Sequence, residues 1–153
     1  MVSILLWSII ILYRFHLSGH LHNMLTNVPN WSSGSVEDMN RYKAFYHKVT
    51  NTRFFAPVIF ATIIICIISL FVVWNHSSFT RYLVLLCLPI AVAALIAVFT
   101  VFRPMNEYFS LKQCDPLVLK KMVKKWLTYN YIRFFIILTG LIISIWNLAS
   151  FKS

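Results

Sequence analysis

The chain has 153 residues, 59% hydrophobic and 12% charged, with 14 Lys and Arg against 4 Asp and Glu. Soluble domains run about 45–50% apolar and about 25% charged, and a globule of this size leaves too much surface in water to hide so many apolar side chains. With a mean hydropathy of +0.74 and three glycines, the composition excludes a collagen-like, disordered or disulfide-framework chain and any soluble enzyme. It points to a bilayer. The net charge of +10 then reads as the Lys and Arg excess of short cytoplasmic loops, not as a nucleic-acid footprint.

The first thirteen residues (MVSILLWSIIILY) lack the basic n-region and small-residue cleavage site of a signal peptide. Leu17, Leu21, Met24, Leu25 and Val28 continue a helical stripe, and His16, His20, Asn23 and Asn27 form another. Residues 2–27 therefore read as one long first helix. Residues 54–74 and 82–102 follow as uncharged runs, and 131–149 contains only Arg133. Each reaches the roughly 20 residues that a membrane crossing needs. Pro57 and Pro89 lie inside spans, where neighbouring helices re-satisfy the backbone.

The two long loops also have helical patterns. Ser35-Val36-Glu37-Asp38 has the form of a capping box, and Met39, Tyr42, Phe45, Tyr46 and Val49 follow on one face. Asp115-Pro116 sets an N-cap and a first-turn proline. Beyond it, Leu119, Met122, Val123 and Trp126 share one face, opposite Lys120, Lys121, Lys124 and Lys125. Both segments are expected to lie as amphipathic helices at the headgroups, the second continuing into the fourth span. Arg41, Lys43, Lys48, Arg53, Arg103, Lys112 and the four lysines stand on this side, against Arg81 and Lys152 on the other. Ten against two places the long loops in the cytoplasm and both termini outside, in what reads as a bacterial cytoplasmic membrane. The expected fold is all-α: a single four-transmembrane-helix bundle over residues 1–153, with interfacial helices in its two cytoplasmic loops.

Polar residues inside the spans carry the functional reading, because ionisable groups there are costly and need a reason. Arg14, His16, His20 and Asn23 descend helix one, while Asn106, Trp126, Tyr129, Asn130 and Arg133 sit at the same leaflet on helices three and four. They predict a cationic pocket open to the cytoplasmic interface. His16, His20, Asn130 and Arg133 are the candidate catalytic groups; Arg14, Asn23, Asn106, Trp126 and Tyr129 are the candidate ligand contacts. His16 and His20 at i, i+4 have a spacing that suits a metal, but no companion carboxylate follows, and no metal site is assigned. Arg14 is too deep to reach phosphates easily, so an internal partner is expected. With Glu37, Asp38, Glu107 and Asp115 all outside the spans, a di-iron carboxylate site and a carboxylate proton relay are excluded. Cys66, Cys87 and Cys114 show no disulfide or zinc pattern.

Gly19, Asn27-Val28-Pro29-Asn30-Trp31, Arg53-Phe54-Phe55 and Pro57, with Arg103-Pro104-Met105-Asn106 and the closing Trp126-x-x-x-Asn130-x-x-Arg133, together resemble a family of small four-helix membrane proteins typified by the anthrone oxygenase-like proteins. The resemblance runs from about residue 15 to 149. It implies oxidation of a polycyclic aromatic by molecular oxygen, an oxidoreductase activity with no established cofactor. The positions it carries over are Trp126, Asn130, Arg133 and Asn106. The residues themselves leave the ligand open among an aromatic molecule, a quinone and a lipid. The alternative is a non-enzymatic accessory or scaffold subunit docking anionic lipid or a partner protein through the basic loops. Homo-oligomer formation is open, and no nucleic acid is expected.

Overall fold

A computed structural model describes residues 1–46, 52–110 and 115–152. Expectations for Lys48, Val49, Lys112 and Cys114, and for the side chains of Phe45, Tyr46 and Lys152, fall outside the described residues. The rest is helical, in the order α1 (Val2–His22), α2 (Val36–Tyr46), α3 (Thr52–Val73), α4 (Ser78–Ala97), α5 (Arg103–Ser110) and α6 (Pro116–Lys152). A π-helical turn, Asn23–Asn27, and a 3-10 turn, Val28–Asn30, extend α1; a second π-turn, Val98–Phe102, joins α4 to α5. Four helical runs are long and apolar enough to cross a membrane: Val2–Asn30, Arg53–Val73, Ser78–Ser110 and Pro116–Phe151. That is the signature of an integral membrane protein. The all-α four-helix bundle expected from the sequence is the fold observed.

The four long helices close a ring in which α1 and α4 each pack against both α3 and α6. Between lipid-exposed helices there is little hydrophobic drive to associate, so close approach and shape matter more. Two glycines provide that approach. A Cβ at Gly140 would run into the ring of Tyr13, and one at Gly19 into the ring of Phe54. Tyr13 lies flat against Gly140 and donates its hydroxyl proton to the Cys87 carbonyl at 2.6 Å, tying α1 to α4 beside Pro89. The core along this half is mainly apolar, with Leu6, Ile9, Cys66, Val73, Val84 and Ile137 buried; Ser69, Thr80, Ser144 and Asn147 are buried polar residues on the same helices.

Both π-turns are followed, after one residue, by a proline. The Val28 N–H reaches the Asn23 carbonyl and the Arg103 N–H reaches that of Val98, each five residues back. Pro29 and Pro104 then have no N–H to continue the ladder. The wider turn fits one more residue before the break, and it rotates the side chains on either side of it. This is why the first and third helices run on past the ends expected at residues 27 and 102.

Runs this long overshoot the bilayer. The 29 residues of Val2–Asn30 span about 43 Å at 1.5 Å per residue, against a hydrocarbon core of about 30 Å. At the end where the first and third helices run on, the amphipathic segments turn their apolar faces onto one another. Val28, Trp31, Met39, Phe102, Met105, Phe109, Leu119, Val123 and Trp126 make a second core, a cap over the bundle. Its start signals are those written in the sequence. Asp115 Oδ1 accepts from Leu117 N at 2.8 Å and from Val118 N at 3.2 Å, and the Ser35 hydroxyl accepts from Asp38 N at 3.0 Å. The Ser33 hydroxyl donates to the Asp38 carboxylate; this bond first, and a separate side-chain bond from the Ser35 hydroxyl second, hold the carboxyl below its ordinary range. As expected, the second amphipathic segment continues unbroken into the fourth span as α6, with Lys120, Lys121, Lys124 and Lys125 exposed.

Candidate functional site

Below the cap, one face of α1 and one face of α6 bring polar groups into the centre of the ring. On α1, His16, His20 and Asn23 recur at i, i+4 and i+7, and all three are buried. On α6, Trp126, Asn130 and Arg133 follow the same interval, and all three are buried as well. Each set keeps to one face because three- and four-residue steps return a helix to nearly the same direction. The imidazoles of His16 and His20 stack with centroids 5.4 Å apart. The Phe55 ring of α3 lies 5.6 Å from His16 and 5.0 Å from His20, and the Arg133 guanidinium sits 5.6 Å from its centroid. Arg133 also stacks over Phe102 at 3.9 Å. Phe55 and Phe102 therefore hold the arginine between them and bridge it to the histidines.

Arg133 is 7% exposed. Its Nη2 donates to Asn130 Oδ1 at 3.2 Å, and it forms no salt bridge with any described residue. Its Nε, the Nε2 of His16 and both ring nitrogens of His20 are buried without a hydrogen-bond partner among the described residues. Burying a polar atom without a partner costs about 1–3 kcal/mol, so four in one cluster mark a place the fold does not satisfy for its own sake. Unsatisfied buried groups of this kind are rare in native proteins.

The cluster is a packed one and leaves no wide chamber. Space beside it takes the form of a cleft of about 60 Å³ between α4 and α6, lined by Ala93, Ala94, Ala97, Val101, Phe102, Tyr129, Ile132, Arg133 and Ile136. Toward the cap, Trp126 and Phe102 stack edge to face at 5.6 Å, and Trp31 meets Trp126 at 4.9 Å. These rings close the axial end, which the sequence expects to be open. The reason is the tertiary pairing of the amphipathic segments, which seals the route that two separate interfacial helices would leave.

The other candidates divide. Trp126 roofs the site, and its Nε1 donates to Asn106 Oδ1 at 3.2 Å; Asn106 is otherwise exposed on α5. Asn23 accepts at Oδ1 from Asn27 Nδ2, 3.1 Å away. Tyr129 stands at the rim of the cleft, with the Lys125 ammonium 5.9 Å over its ring. Arg14 is a correction: it is exposed on the outside of α1 and lacks the internal position expected of it. Two residues from His16 is a rotation of about 200° on an α-helix, which points it away from the centre. Phe55 and Phe102 are the residues sequence reasoning passes over as site members. No group of three His, Cys, Asp or Glu among the described residues has metal-site proximity. No family model, curated protein or solved structure matches this chain.

Proposed function

We propose that the chain is a membrane-embedded binding protein for a lipid-soluble aromatic molecule carrying a carbonyl or phenolic oxygen, which Arg133 and Asn130 receive. The observation that carries this reading is a buried arginine with no carboxylate partner among the described residues, its Nε unsatisfied, in the lining of a cleft beside the cluster. A guanidinium in a low-dielectric site attracts an acceptor oxygen far more strongly than it would in water. Phe102 and Tyr129 line the cleft and give an aromatic edge apolar and π surface to meet. The cleft is well below the roughly 300–1,000 Å³ that encloses a drug-sized ligand. It admits an oxygen-bearing edge while the remaining apolar body stays among lipid tails.

The oxidation implied by the anthrone oxygenase-like resemblance is a narrower form of the same proposal. With a phenol in place, an imidazole at His16 or His20 would take the hydroxyl proton, and Arg133 with Asn130 would hold the resulting oxyanion. Organic extracts of the purified wild-type chain, analysed by mass spectrometry, should contain such a molecule. Extracts of His20→Ala and Asn130→Ala should be depleted of it by about tenfold, the effect of losing one site contact worth about 1.4 kcal/mol. Equal retention in both variants would rule the reading out.

We also infer that the cap faces the cytoplasm and the α3–α4 turn faces outward. The lysine face of α6 supports this, since Lys120, Lys121, Lys124 and Lys125 are all exposed beside the cap and complement the anionic headgroups of that leaflet. A cysteine introduced at Ser77 should be labelled by an impermeant maleimide in intact cells; labelling only after lysis would invert the orientation.

A further inference from the structure

The geometry points to lateral access: the ligand reaches Arg133 from within the lipid, through the cleft between α4 and α6, and Ala97 sets the width of that opening. The inference rests on the binding role given to Arg133 above, and it concerns the route and the size limit, which that role leaves open.

Two observations select the route. The axial way from water is stopped by Trp126, 6% exposed, and by Phe102, 4% exposed, which stack on each other beneath Trp31. The sideways way is open at its rim, where Tyr129, Ile132 and Ile136 are 37%, 49% and 36% exposed on the outside of the bundle. These rim residues belong to the span Pro116–Phe151; Tyr129 lies under the Lys125 ammonium, and Ile132 and Ile136 lie one and two turns further along the apolar run of α6. A molecule dissolved in the bilayer meets an apolar mouth. Past Tyr129, the lining on the way to Arg133 is apolar.

Small side chains on α4 make the opening. Ala93 and Ala97, one helical turn apart, face Ile132 and Ile136 of α6 across the cleft. A stripe of alanines alone would mean close helix packing. Here the cleft also has Arg133 in its lining, more than nine-tenths buried and with an unpartnered Nε, so the space reaches the residue that carries an unsatisfied donor. A leucine at position 97 would fill most of the cleft while Phe102 and Arg133 kept their places. The opening therefore favours flat or unbranched molecules and rejects those with a bulky substituent beside the oxygen.

The test is saturation binding of radiolabelled 2-methyl-1,4-naphthoquinone to the full chain in nanodiscs of neutral lipid, with empty nanodiscs as baseline. Ala97→Leu should weaken binding by about tenfold or more, the scale of an overpacking penalty in a closed site. Adding Ile136→Ala to Ala97→Leu should return the affinity to within about threefold of wild type, which a merely misfolded Ala97→Leu chain would not do. Arg133→Met should abolish saturable binding. If Ala97→Leu and Ala93→Leu both bind as wild type while Arg133→Met does not bind, lateral access is overturned and the role of Arg133 stands. If the wild-type chain shows no saturable binding, or binds oleate but not the naphthoquinone, the underlying reading fails and takes the access route with it.

Discussion

Arg133→Met is expected to raise the thermal stability of the delipidated chain while removing its ligand binding. Among the described residues the buried guanidinium has one hydrogen bond, to Asn130 at 3.2 Å, and one close aromatic face, Phe102 at 3.9 Å. A desolvated cation–π contact is worth about 2 kcal/mol, and a hydrogen bond to a charged group about 1.5–3 kcal/mol. Against them stands a desolvation cost of several kcal/mol for a buried ion, with no carboxylate to offset it. Methionine has an unbranched, polarizable side chain that packs well against aromatic rings, so Phe55 and Phe102 keep a partner. Replacement of buried ion pairs by apolar residues of similar volume is often neutral or stabilising by about 1–4 kcal/mol, and a buried cation with no opposite charge has less attraction to lose. For a chain of this size each kcal/mol moves the unfolding midpoint by about 2–4 °C. Thermal melts in detergent after exhaustive lipid removal read this directly; removal matters, because a bound ligand stabilises the wild type and masks the difference. Arg133→Lys should not restore binding, since an ammonium lacks the planar fork that stacks between two rings. A Met variant that melts lower than wild type would make Arg133 a structural residue and would weaken the binding reading at its base.

The parts of this architecture legible in the sequence are those written in charge and in spacing. The spans stand out as runs without acids, and the sets His16–His20–Asn23 and Trp126–Asn130–Arg133 stand out because polar side chains at helical intervals are conspicuous among Leu and Ile. Asp115 and Ser35 announce helix starts by capping chemistry, and both bonds form. Phe55 and Phe102 are different. They lie in runs that are apolar all round, so nothing in their pattern separates an inward ring from one facing lipid; Phe54 is exposed while its neighbour Phe55 is buried. The two π-turns add to this, because an extra residue within a turn shifts the face that each following side chain presents. Phe102 closes the second of these turns, and its place under Arg133 follows from a backbone feature that residue spacing does not encode. The cap was ambiguous for another reason. An apolar helical face fits a headgroup layer or a second apolar face equally well, and only the three-dimensional meeting of α2, α5 and α6 decides between them.

That cap gives the largest single effect on stability expected in the molecule. Trp31 is 2% exposed and touches three rings: Trp126 at 4.9 Å, Tyr42 at 5.3 Å and Phe109 at 5.7 Å. It packs with Leu119, Val123 and Trp126 of α6, between which the four lysines are exposed; in the orientation proposed above the cluster lies at the aqueous interface, where burial of apolar surface is favourable in a way that it is not among lipid tails. Trp31→Ala should therefore cost about 3–5 kcal/mol of cap stability, the range for emptying a buried aromatic site. Trp31→Phe should cost less than about 1.5 kcal/mol, since the indole N–H has no hydrogen-bond partner to lose among the described residues. Limited trypsinolysis distinguishes the cap from the bundle, because Arg41 and Lys43 lie on α2, within the cap, whereas the spans are shielded by detergent. If cleavage requires opening of the cap, a loss of about 3 kcal/mol accelerates it by about a hundredfold. The helical content of the spans should be unchanged in the same samples. Wild-type cleavage rates in Trp31→Ala would mean that the rings stack without cooperating. The packing they provide over Trp126 and Phe102, and through Phe102 over Arg133, would then have to come from the bundle alone.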